Sequence, residues 1–498
     1  MQFRVAREIP KGQVAMLLRF ARQTFVRQYG EFTYLFGKVT AFDQVFRSAG
    51  PFFAHITREP KDRESIIDEI VRDYTDSPRT QVARDFDEFF LPLIAQKVIL
   101  AGESAEALDA QEPSFTYDCD DPKTARDEKV YTAEEIASLP ATLLEKYFAE
   151  HPTLFEIQLD ITQACTERCR HCYVPEYNPI FLSYDKICEV LDEFREMGGV
   201  HVSLSGGECM MHKDIVKIIK AIRGRDCTVA CLSNLTVCTD EIIDALVEAD
   251  GTVQVSLYSM SPAIHDEVTR RKGSWVETMG AILRLREAQI PVLISCPCLK
   301  INYKDYPAVM KFADSLKMDS QTDFIIMGRQ DCDTSNLCNR LDLAETRTLL
   351  EDVILKSIPM NSEYFSPGKK EQMLSVEEWR KRKVCGACVN SMCLNATGEY
   401  YPCPGFAGVV LGNCYKDSLH HVWMESKATK RIRAVTGADF RGCAECKDRD
   451  YCSVCMCRNF NETGDMFKPA EHFCKVAAIN HEVVDEKQRQ MIEAATKK

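Results

Sequence analysis

Three cysteines are confined to one short stretch of the chain. They are Cys165, Cys169 and Cys172, with three and then two residues between them. Three thiolates that converge from one loop can hold three irons of a [4Fe–4S] cube, which leaves the fourth iron free to bind a cofactor or substrate. A structural zinc site would need a fourth ligand from a distant cysteine or histidine. The spacing therefore favours an open iron–sulfur cluster.

A second group of cysteines follows much later in the chain, and its members recur in tight pairs. Cysteines two residues apart, repeated at intervals of tens of residues, are typical of zinc sites and of iron–sulfur clusters alike. Spacing alone therefore leaves zinc and iron both open for this region. In chain order the group is Cys385-x2-Cys388-x9-Gly398-x4-Cys403, then Cys443-x2-Cys446-x5-Cys452-x2-Cys455-x-Cys457, and finally Cys474.

The composition is that of a globular protein with several domains. Of its 498 residues, 45% are hydrophobic and 28% are charged. The net charge of −13 argues against a non-specific nucleic-acid binder and against a protein of anionic membranes. The first residues lack the apolar core of a signal peptide, and no run of about 18 apolar residues occurs. We therefore expect a cytoplasmic protein, in which paired cysteines serve as metal ligands or redox groups rather than as disulfides.

A strand–helix pattern repeats six times from residue 155 onward. Helical stretches such as 184–197 separate the apolar segments. Six such units predict an α/β fold, a partial (β/α)6 barrel with its chemistry at the carboxyl ends of the strands, where the first cysteine loop lies. The predicted strands are 155–161, 202–204, 228–232, 253–257, 291–296 and 323–327.

The segments around this barrel have other patterns. Residues 1–105 combine a helical pattern at 13–28, strands at 32–39 and 42–46, and amphipathic helices at 64–74 and 77–94, which suggests a winged-helix-like α+β domain. We expect an acidic linker with a helix over 106–153, the barrel over 154–340 and a bridging region over 341–384. A cysteine-rich domain over 385–477 and a C-terminal helix over 478–498 complete the chain.

The first cysteine loop resembles the signature of the radical S-adenosylmethionine (radical SAM) superfamily. At the end of the second predicted strand, Gly206-Gly207-Glu208 is similar to the family's Gly-Gly-Glu motif, although Cys209 stands where the family usually has proline. Glycines let the backbone approach a ligand closely, and a carboxylate can accept an ammonium group. The resemblance implies that Cys165, Cys169 and Cys172 hold the catalytic cluster. It also implies S-adenosylmethionine contacts from His171, Tyr173, Gly206, Gly207, Glu208, Asn234 and Ser256.

The later cysteines resemble the SPASM extension of such enzymes, which holds two auxiliary [4Fe–4S] clusters and makes three in all. The family places one ligand at the position of Met456, so Cys455 or Cys457 serves instead, and we favour Cys455. Cys209, Cys393 and Cys457 stay candidates for a reactive thiol. The resemblance implies one auxiliary set of Cys385, Cys388, Cys403 and Cys455, and a second of Cys443, Cys446, Cys452 and Cys474.

Residues 32–99 resemble the RiPP recognition element, which binds the leader segment of a ribosomally made precursor peptide as an added strand. The aromatic residues Phe32, Tyr34, Phe36 and Phe46 would line such a groove or form the core of the domain.

Together the resemblances predict a radical SAM/SPASM peptide maturase that forms an intramolecular crosslink. A thioether is favoured over a carbon–carbon bond, and the electron donor would be a ferredoxin or flavodoxin. One alternative is a maturase acting on a folded protein, as in sulfatase maturation. Another is a zinc-stabilised interaction protein, against which the Gly-Gly-Glu motif argues.

Overall fold

A computed structural model describes residues 16–37, 39–40, 42–47, 50–118, 139–357 and 374–496. The chain forms two compact units. The first comprises Met1–Thr116 and Ala137–Leu144, and the second comprises Tyr117–Ile136 and Glu145–Lys498. The helix expected within 133–149 lies partly outside the described residues, and the described helix runs over Pro140–Glu150.

The first unit holds two small antiparallel sheets and several helices. The strands of this unit are β1 Leu17–Phe20, β2 Thr24–Tyr29, β3 Phe32–Gly37, β4 Phe42–Arg47, β5 Lys61–Asp62 and β6 Ile99–Gly102. One sheet has the strand order β2-β3-β4 and the other has the order β5-β1-β6. Its helices are α1 Gly50–Ala54, α2 Arg63–Asp73, α3 Arg79–Ala95 and α4 Ala105–Asp109.

The helix predicted at 13–28 is wrong. The structure has β1 and β2 there, and residues 13–15 lie outside the described part. Tyr29 pairs with Phe32 across the two-residue turn Gly30-Glu31, where Gly30 has φ 55°. A tight turn with glycine at positive φ favours a hairpin, and the β-branched and aromatic residues of β2 suit a strand. The glycine turn is therefore the sequence signal for a pair of strands, and the apparent helical periodicity of residues 13–28 concealed it.

The other elements predicted in the first unit are confirmed, and they enclose an aromatic core. Phe46 lies with its ring centroid 5.5 Å from that of Phe53 and 5.5 Å from that of Phe89. Tyr34 is buried. Phe46 is half-buried and packs against the core, whereas Phe32 and Phe36 are half-buried, so the core interpretation holds for two of the four aromatic residues.

A short part of the expected acidic linker belongs to this unit. Asp109, at the end of α4, lies 2.8 Å from the guanidinium of Arg19, whose side chain is buried. Glu112 pairs with the same guanidinium at 2.5 Å. These two carboxylates are therefore anchored by an ion pair rather than merely solvated.

The second unit is built on one sheet of nine strands. The order is β12-β11-β10-β9-β8-β7-β13-β14-β15, and the run from β12 to β13 is parallel throughout. The six-unit partial barrel is thus confirmed. The strands are β7 Glu156–Thr162, β8 His201–Gly206, β9 Thr228–Ser233, β10 Thr252–Ser256, β11 Val292–Pro297, β12 Asp319–Asp323, β13 Ser391–Leu394, β14 Glu399–Tyr401 and β15 Gly412–Asn413.

The sixth barrel strand lies earlier than predicted. It is the polar segment Asp319–Asp323, not the apolar stretch 323–327. Among the described strands, β12 pairs with β11 alone at one end of the sheet, where a strand needs no apolar face on both sides. The apolar residue Ile326 instead packs beyond the strand with Tyr258 and Leu299.

Helices follow most of the strands, in the alternation expected for such a barrel. The last helix, Glu471–Thr496, begins before the expected start at 478, so Cys474 lies in its first turn. Among the described residues no helix is long and apolar enough to cross a membrane. After α5 Pro140–Glu150, the helices are α6 Tyr184–Glu196, α7 Ile215–Gly224, α8 Asp240–Glu248, α9 Pro262–Thr269, α10 Ser274–Glu287, α11 Tyr306–Ser315, α12 Leu343–Ser357, α13 Val376–Lys381, α14 Leu419–Met424, α15 Lys427–Ala434, α16 Met456–Thr463 and α17 Glu471–Thr496.

Candidate functional site

The first cysteine loop leaves the carboxyl end of β7 and brings its three thiols together. Burial raises the pKa of Cys165 to about 12, and the charges of Glu208, Glu167 and Cys172 add to the increase. Burial likewise holds the pKa of Cys169 well above its usual value, with contributions from Glu167, Cys172 and Cys165. Each of these two thiols therefore lies within electrostatic range of the others, as the sequence predicted.

Hydrogen-bond donors point at these sulfurs. The Asn234 Nδ2 donates to Cys165 Sγ at 3.7 Å, and the backbone N–H of Glu167 donates to the same sulfur at 3.4 Å. The Tyr258 hydroxyl lies 4.0 Å from Cys169 Sγ. Such donors stabilise the thiolate ligands of an iron–sulfur cluster, so the donor set fits that group. Sequence analysis missed Glu167 and Tyr258, which carry no local motif of their own.

Across the described residues, no three His, Cys, Asp or Glu groups are gathered closely enough to hold a single metal ion.

Gly206 and Gly207 are required by close backbone packing at the end of β8. Gly206 has φ +122°, and a Cβ on it would lie 2.2 Å from the Thr162 carbonyl oxygen. A Cβ on Gly207 would lie 2.3 Å from the Ala164 carbonyl oxygen. The two glycines thus let β8 meet the end of β7 and the start of the cysteine loop, a reason that holds whether or not a ligand is bound.

Glu208 is buried, and besides a long contact from the Cys209 thiol at 3.9 Å it accepts three hydrogen bonds from N–H and O–H donors. Its carboxylate accepts from the Ser233 hydroxyl at 2.8 Å, from the Asn234 N–H at 2.7 Å and from the Met210 N–H at 2.9 Å. Burial raises the pKa of Glu208, and these bonds oppose the increase. Because Asn234 also contacts Cys165, one network joins the Gly-Gly-Glu motif to the cysteine loop.

The remaining predicted cofactor contacts line the same end of the barrel. The His171 Nδ1 is buried with no hydrogen-bond partner among the described residues, and burial lowers the pKa of His171 to about 4. Its ring packs edge-on against Tyr258 at 5.3 Å between centroids. Ser256 hydrogen-bonds the Tyr258 side chain, and Tyr173 is enclosed beside Cys172. A neutral imidazole with a free nitrogen suits a polar ligand at this position.

The first auxiliary set also gathers in space. Burial raises the pKa of Cys385 to about 11, and the charges of Cys403 and Cys455 add to the increase. Burial raises the pKa of Cys388 to about 12, with Arg433 opposing and Cys385 and Cys403 adding. Electrostatic interactions therefore link Cys385 to Cys388, Cys403 and Cys455.

Cys455 and Cys457 both reach this set. Hydrogen bonds to Cys403 and Cys455 hold the pKa of the buried Cys457 thiol far above its usual value, so it stays protonated. In contrast, the hydrogen bond from Cys457, together with contacts from Arg458, lowers the pKa of Cys455 to about 5. The two thiols therefore interact with each other and with the first auxiliary set.

The second auxiliary set surrounds a cavity beside the last helix. Burial raises the pKa of Cys443 to about 11, and the charges of Cys452, Cys474 and Cys446 add to the increase. All four cysteines line the cavity, together with Arg449 and Phe473.

Comparison with known proteins agrees with this geometry. Residues 159–313 match the Radical SAM superfamily, and residues 385–458 match SPASM, an iron–sulfur cluster-binding domain. The chain carries a radical SAM domain followed by a SPASM domain. The two matched segments contain the first cysteine loop, the Gly-Gly-Glu motif and most of the tail cysteines, so the predicted fold class and enzyme class are confirmed.

Curated relatives of this radical SAM enzyme are distant. The AdoMet-dependent heme synthase of Methanosarcina barkeri is 23% identical over 336 residues, which span 64% of this chain and 95% of that protein. The antilisterial bacteriocin subtilosin biosynthesis protein AlbA of Bacillus subtilis is 24% identical over 325 residues, spanning 63% of this chain and 69% of that protein.

Two solved structures share the fold to different extents. Streptococcus suis SuiB bound to precursor peptide SuiA has a TM-score of 0.58 at 15% identity, covering 92% of this chain and 99% of its own. Native anSMEcpe with bound AdoMet and Cp18Cys peptide has a TM-score of 0.51 at 15% identity, covering 70% of this chain and 100% of its own. The fold likeness to SuiB therefore extends over more of this chain.

Proposed function

We propose that this radical SAM/SPASM enzyme modifies a ribosomally synthesised precursor peptide by forming an intramolecular crosslink, with a thioether favoured over a carbon–carbon bond. The observation that carries the chemistry is the three-thiol loop linked through Asn234 to the buried Glu208. The peptide substrate is supported by relatives named as a bacteriocin subtilosin biosynthesis protein and as a PqqA peptide cyclase, and by the likeness to SuiB, whose structure holds a precursor peptide.

In this proposal Cys165, Cys169 and Cys172 hold the catalytic cluster, and Glu208 accepts the amino group of S-adenosylmethionine. The bound cofactor supplies a 5′-deoxyadenosyl radical that abstracts hydrogen from a substrate C–H bond. Contacts to the rest of the cofactor come from the surrounding loops, and the enclosed site excludes water from the radical. These contacts are assigned to His171, Tyr173, Gly206, Gly207, Asn234 and Ser256.

The tail is assigned two auxiliary [4Fe–4S] clusters, which bring the total to three. The first would be held by Cys385, Cys388, Cys403 and Cys455, with Cys455 favoured over Cys457. The second would be held by Cys443, Cys446, Cys452 and Cys474. These clusters would accept the electron released when the crosslink forms, and a ferredoxin or flavodoxin would deliver the electron that starts the reaction.

The first unit is assigned capture of the leader segment. Its β2-β3-β4 sheet ends in β4, whose residues from Asp43 to Arg47 are half-buried or exposed, as an edge strand that accepts a peptide would be. The guanidinium of Arg47 lies 5.2 Å from the centre of the Phe32 ring. This arrangement offers main-chain pairing together with one charged and one aromatic contact.

Metal analysis of protein purified without oxygen tests the cofactor assignment. About twelve irons, falling to about eight in the variant Cys165→Ala/Cys169→Ala/Cys172→Ala, is the result expected for one open and two auxiliary cubes. Zinc in the tail would remove its electron-accepting role. A protein without iron would leave the zinc-stabilised interaction protein as the better interpretation.

A second experiment tests the substrate. The enzyme is incubated with the precursor peptide from its own gene neighbourhood, and the product is weighed for the loss of two hydrogens. Deleting residues 1–105 should abolish turnover of the full precursor. Turnover that survives this deletion would contradict leader capture and favour a maturase acting on a folded protein.

A further inference from the structure

The interior of the barrel holds a carboxyl group that the cofactor assignment does not use. We propose that Asp160, hydrogen-bonded by the thiol of Cys393, is the base that takes the substrate proton when the crosslink closes. The inference rests on the proposed function, and it names the group that completes that reaction.

Asp160 occupies a specific place on β7. Along this strand Ile157, Leu159 and Ile161 are buried, whereas Gln158 and Asp160 alternate with them on the other face and keep part of their surface accessible. The pairing with β8 shifts register directly after Asp160, between Asp160 and Thr162. An irregularity of this kind re-aims the neighbouring side chains and is common beside active sites.

Three strands supply partners for the carboxylate. The Gln158 Nε2 donates to Asp160 Oδ1 at 2.8 Å, and the Cys393 Sγ donates to Asp160 Oδ2 at 3.5 Å. Ser205 on β8 makes a further hydrogen bond. Cys393 comes from β13 of the tail hairpin, so the SPASM region contributes directly to the interior of the barrel.

The position of Asp160 relative to the cysteine groups is shown by Tyr173. Burial holds the pKa of the Tyr173 hydroxyl well above its usual value, and the charges of Asp160, Cys172, Cys393 and Cys403 add to the increase. Cys172 belongs to the first cysteine loop and Cys403 to the first auxiliary set. Asp160 and one thiol from each of two cluster sites therefore lie within electrostatic range of the same tyrosine hydroxyl.

The environment suits a base. Burial raises the pKa of Asp160 from 3.8 to about 6, so the group is ionised above neutral pH and still accepts a proton readily. Burial keeps the pKa of Cys393 well above its usual value, so Cys393 stays a thiol that donates to Asp160. Of the three candidates for a reactive thiol, Cys393 is thereby assigned a positioning role.

Other titratable groups face the carboxylate from the elements around it. Tyr173 does so from the cysteine loop, and Tyr401 does so from β14. The Tyr401 hydroxyl donates to Glu399 at 2.6 Å, and burial raises its pKa, so it is neutral over the working range. Asp160 is consequently the group in this set that changes charge near neutral pH.

The chemical step balances for a thioether. The hydrogen of the substrate C–H bond leaves as part of 5′-deoxyadenosine, and a carbon radical remains. As the peptide thiol adds to that carbon, the C–S bond forms and the S–H bond breaks. The proton passes to the Asp160 carboxylate, and one electron passes to an oxidised iron–sulfur cluster.

The test uses holoenzyme with its precursor peptide and counts crosslinked peptide per 5′-deoxyadenosine formed. Asp160→Asn should lower this ratio by about 100-fold or more, the usual contribution of a general base. Asp192→Asn, a matched change at an exposed carboxylate paired with Arg225, should leave the ratio intact. An unchanged ratio in Asp160→Asn overturns the proposal.

Two pH measurements separate a base from a merely structural residue. Crosslinking by the wild-type enzyme should fall about tenfold per pH unit below about pH 6, the pKa of Asp160. Cys393→Ala removes a hydrogen-bond donor to the Asp160 carboxylate and should raise the apparent pKa of the crosslinking pH profile by about one unit. Cys393→Ser keeps a donor and should restore the wild-type apparent pKa. An apparent pKa that is unchanged in Cys393→Ala contradicts the proposal.

Infrared spectroscopy gives a readout independent of turnover. A carboxylic-acid band that is absent from Asp160→Asn should appear in wild-type holoenzyme as the pH falls through about 6. If no precursor is crosslinked but this band titrates, the proposed function fails and the poised base stands. If crosslinking occurs but the band does not titrate, the base assignment fails alone.

Discussion

The barrel and the cysteine-rich tail place the same ligand chemistry on two different supports. In the barrel, strands such as β7 and β8 bury apolar residues in one core, and the three thiols lie on a loop at the edge of that core. In the tail the described strands have two to four residues, and the thiols come from turns, short helices and the first turn of the last helix. We infer that the barrel folds without its cluster and that the tail depends on its clusters.

The largest expected effect is the unfolding of the tail while the barrel stays folded. Cys443→Ala/Cys446→Ala removes two of the cysteines that we assign to the second auxiliary cluster, so about four irons should be lost. Because metal binding and folding are coupled in small metal domains, trypsin should then cleave residues 443–474 about tenfold faster or more. Iron analysis and limited proteolysis of the holoenzyme measure both.

Two controls sharpen this experiment. Cys338→Ala changes an exposed cysteine outside all three sets and should keep the full iron content. The triple variant at Cys165, Cys169 and Cys172 should lose as much iron as the tail variant, yet keep the barrel resistant to trypsin. Equal protease sensitivity of the tail and barrel variants would show that the two supports do not differ.

A buried ion pair joins the segment after the barrel to the tail. Arg340 Nη2 lies 2.5 Å from Glu462 Oε1, and the two side chains are only 8% and 10% exposed. Arg340→Ala leaves a buried carboxylate without its partner and should lower the free energy of unfolding by about 3–5 kcal/mol. Chemical denaturation measures the change, and the exposed pair Arg284–Asp240 supplies the control, where Arg284→Ala should cost under about 1 kcal/mol.

Because β8 lies very close to β7, a methyl group added at Gly206 should lower the free energy of unfolding. Gly206→Ala places a Cβ 2.2 Å from a backbone oxygen at φ +122°, which should cost about 3 kcal/mol. Gly280 lies within α10, and a Cβ added there would meet nothing within 4 Å, so Gly280→Ala should be neutral or slightly stabilising. Thermal unfolding that is equal in the two variants would refute the packing explanation.

The smallest expected effect is an increase in the free energy of unfolding, whereas the preceding variants lower it. Because burial raises the pKa of Asp160 to about 6, the folded protein binds this proton more tightly than the unfolded chain does. Stability therefore falls as the pH rises from about 4 to about 6, and the penalty persists above that range. Asp160→Asn should stabilise the enzyme by about 2 kcal/mol at pH 8 and by less at pH 5. Denaturation at the two pH values checks the difference, and destabilisation at pH 8 would contradict it.

The sequence predicts the barrel better than the regions around it. Strands β7 to β11 carry apolar runs of their own, so local pattern located them, whereas β12 is a polar edge strand and was misplaced. The helix expected at 13–28 failed because short strands and a glycine turn imitate helical spacing there. The pairing of β13 with β7 has no local signal, since it joins segments far apart in the chain.

The candidate site also contains residues that the sequence predicted and residues that only the structure reveals. Cysteine spacing and the Gly-Gly-Glu motif identified residues that the structure brings together at one end of the barrel. Tyr258 and the contact between Asn234 and Cys165 depend on loops from different strands meeting in space, whereas Glu167 lies inside the cysteine loop itself. Asp160 is inconspicuous in sequence, because a single polar residue on a strand acquires its role only from the thiol that a distant hairpin brings to it.

The union of β13 with β7 also bears on how the protein is made. Cys393 follows Asp160 by 233 residues, so at about 5–20 residues per second the ribosome completes β7 roughly 10–50 s before its neighbour exists. During that interval the main-chain donors and acceptors on this side of β7 are open to any other extended chain. A message truncated before residue 391 would make the exposure permanent, so we expect shortened products to aggregate rather than accumulate as a working barrel.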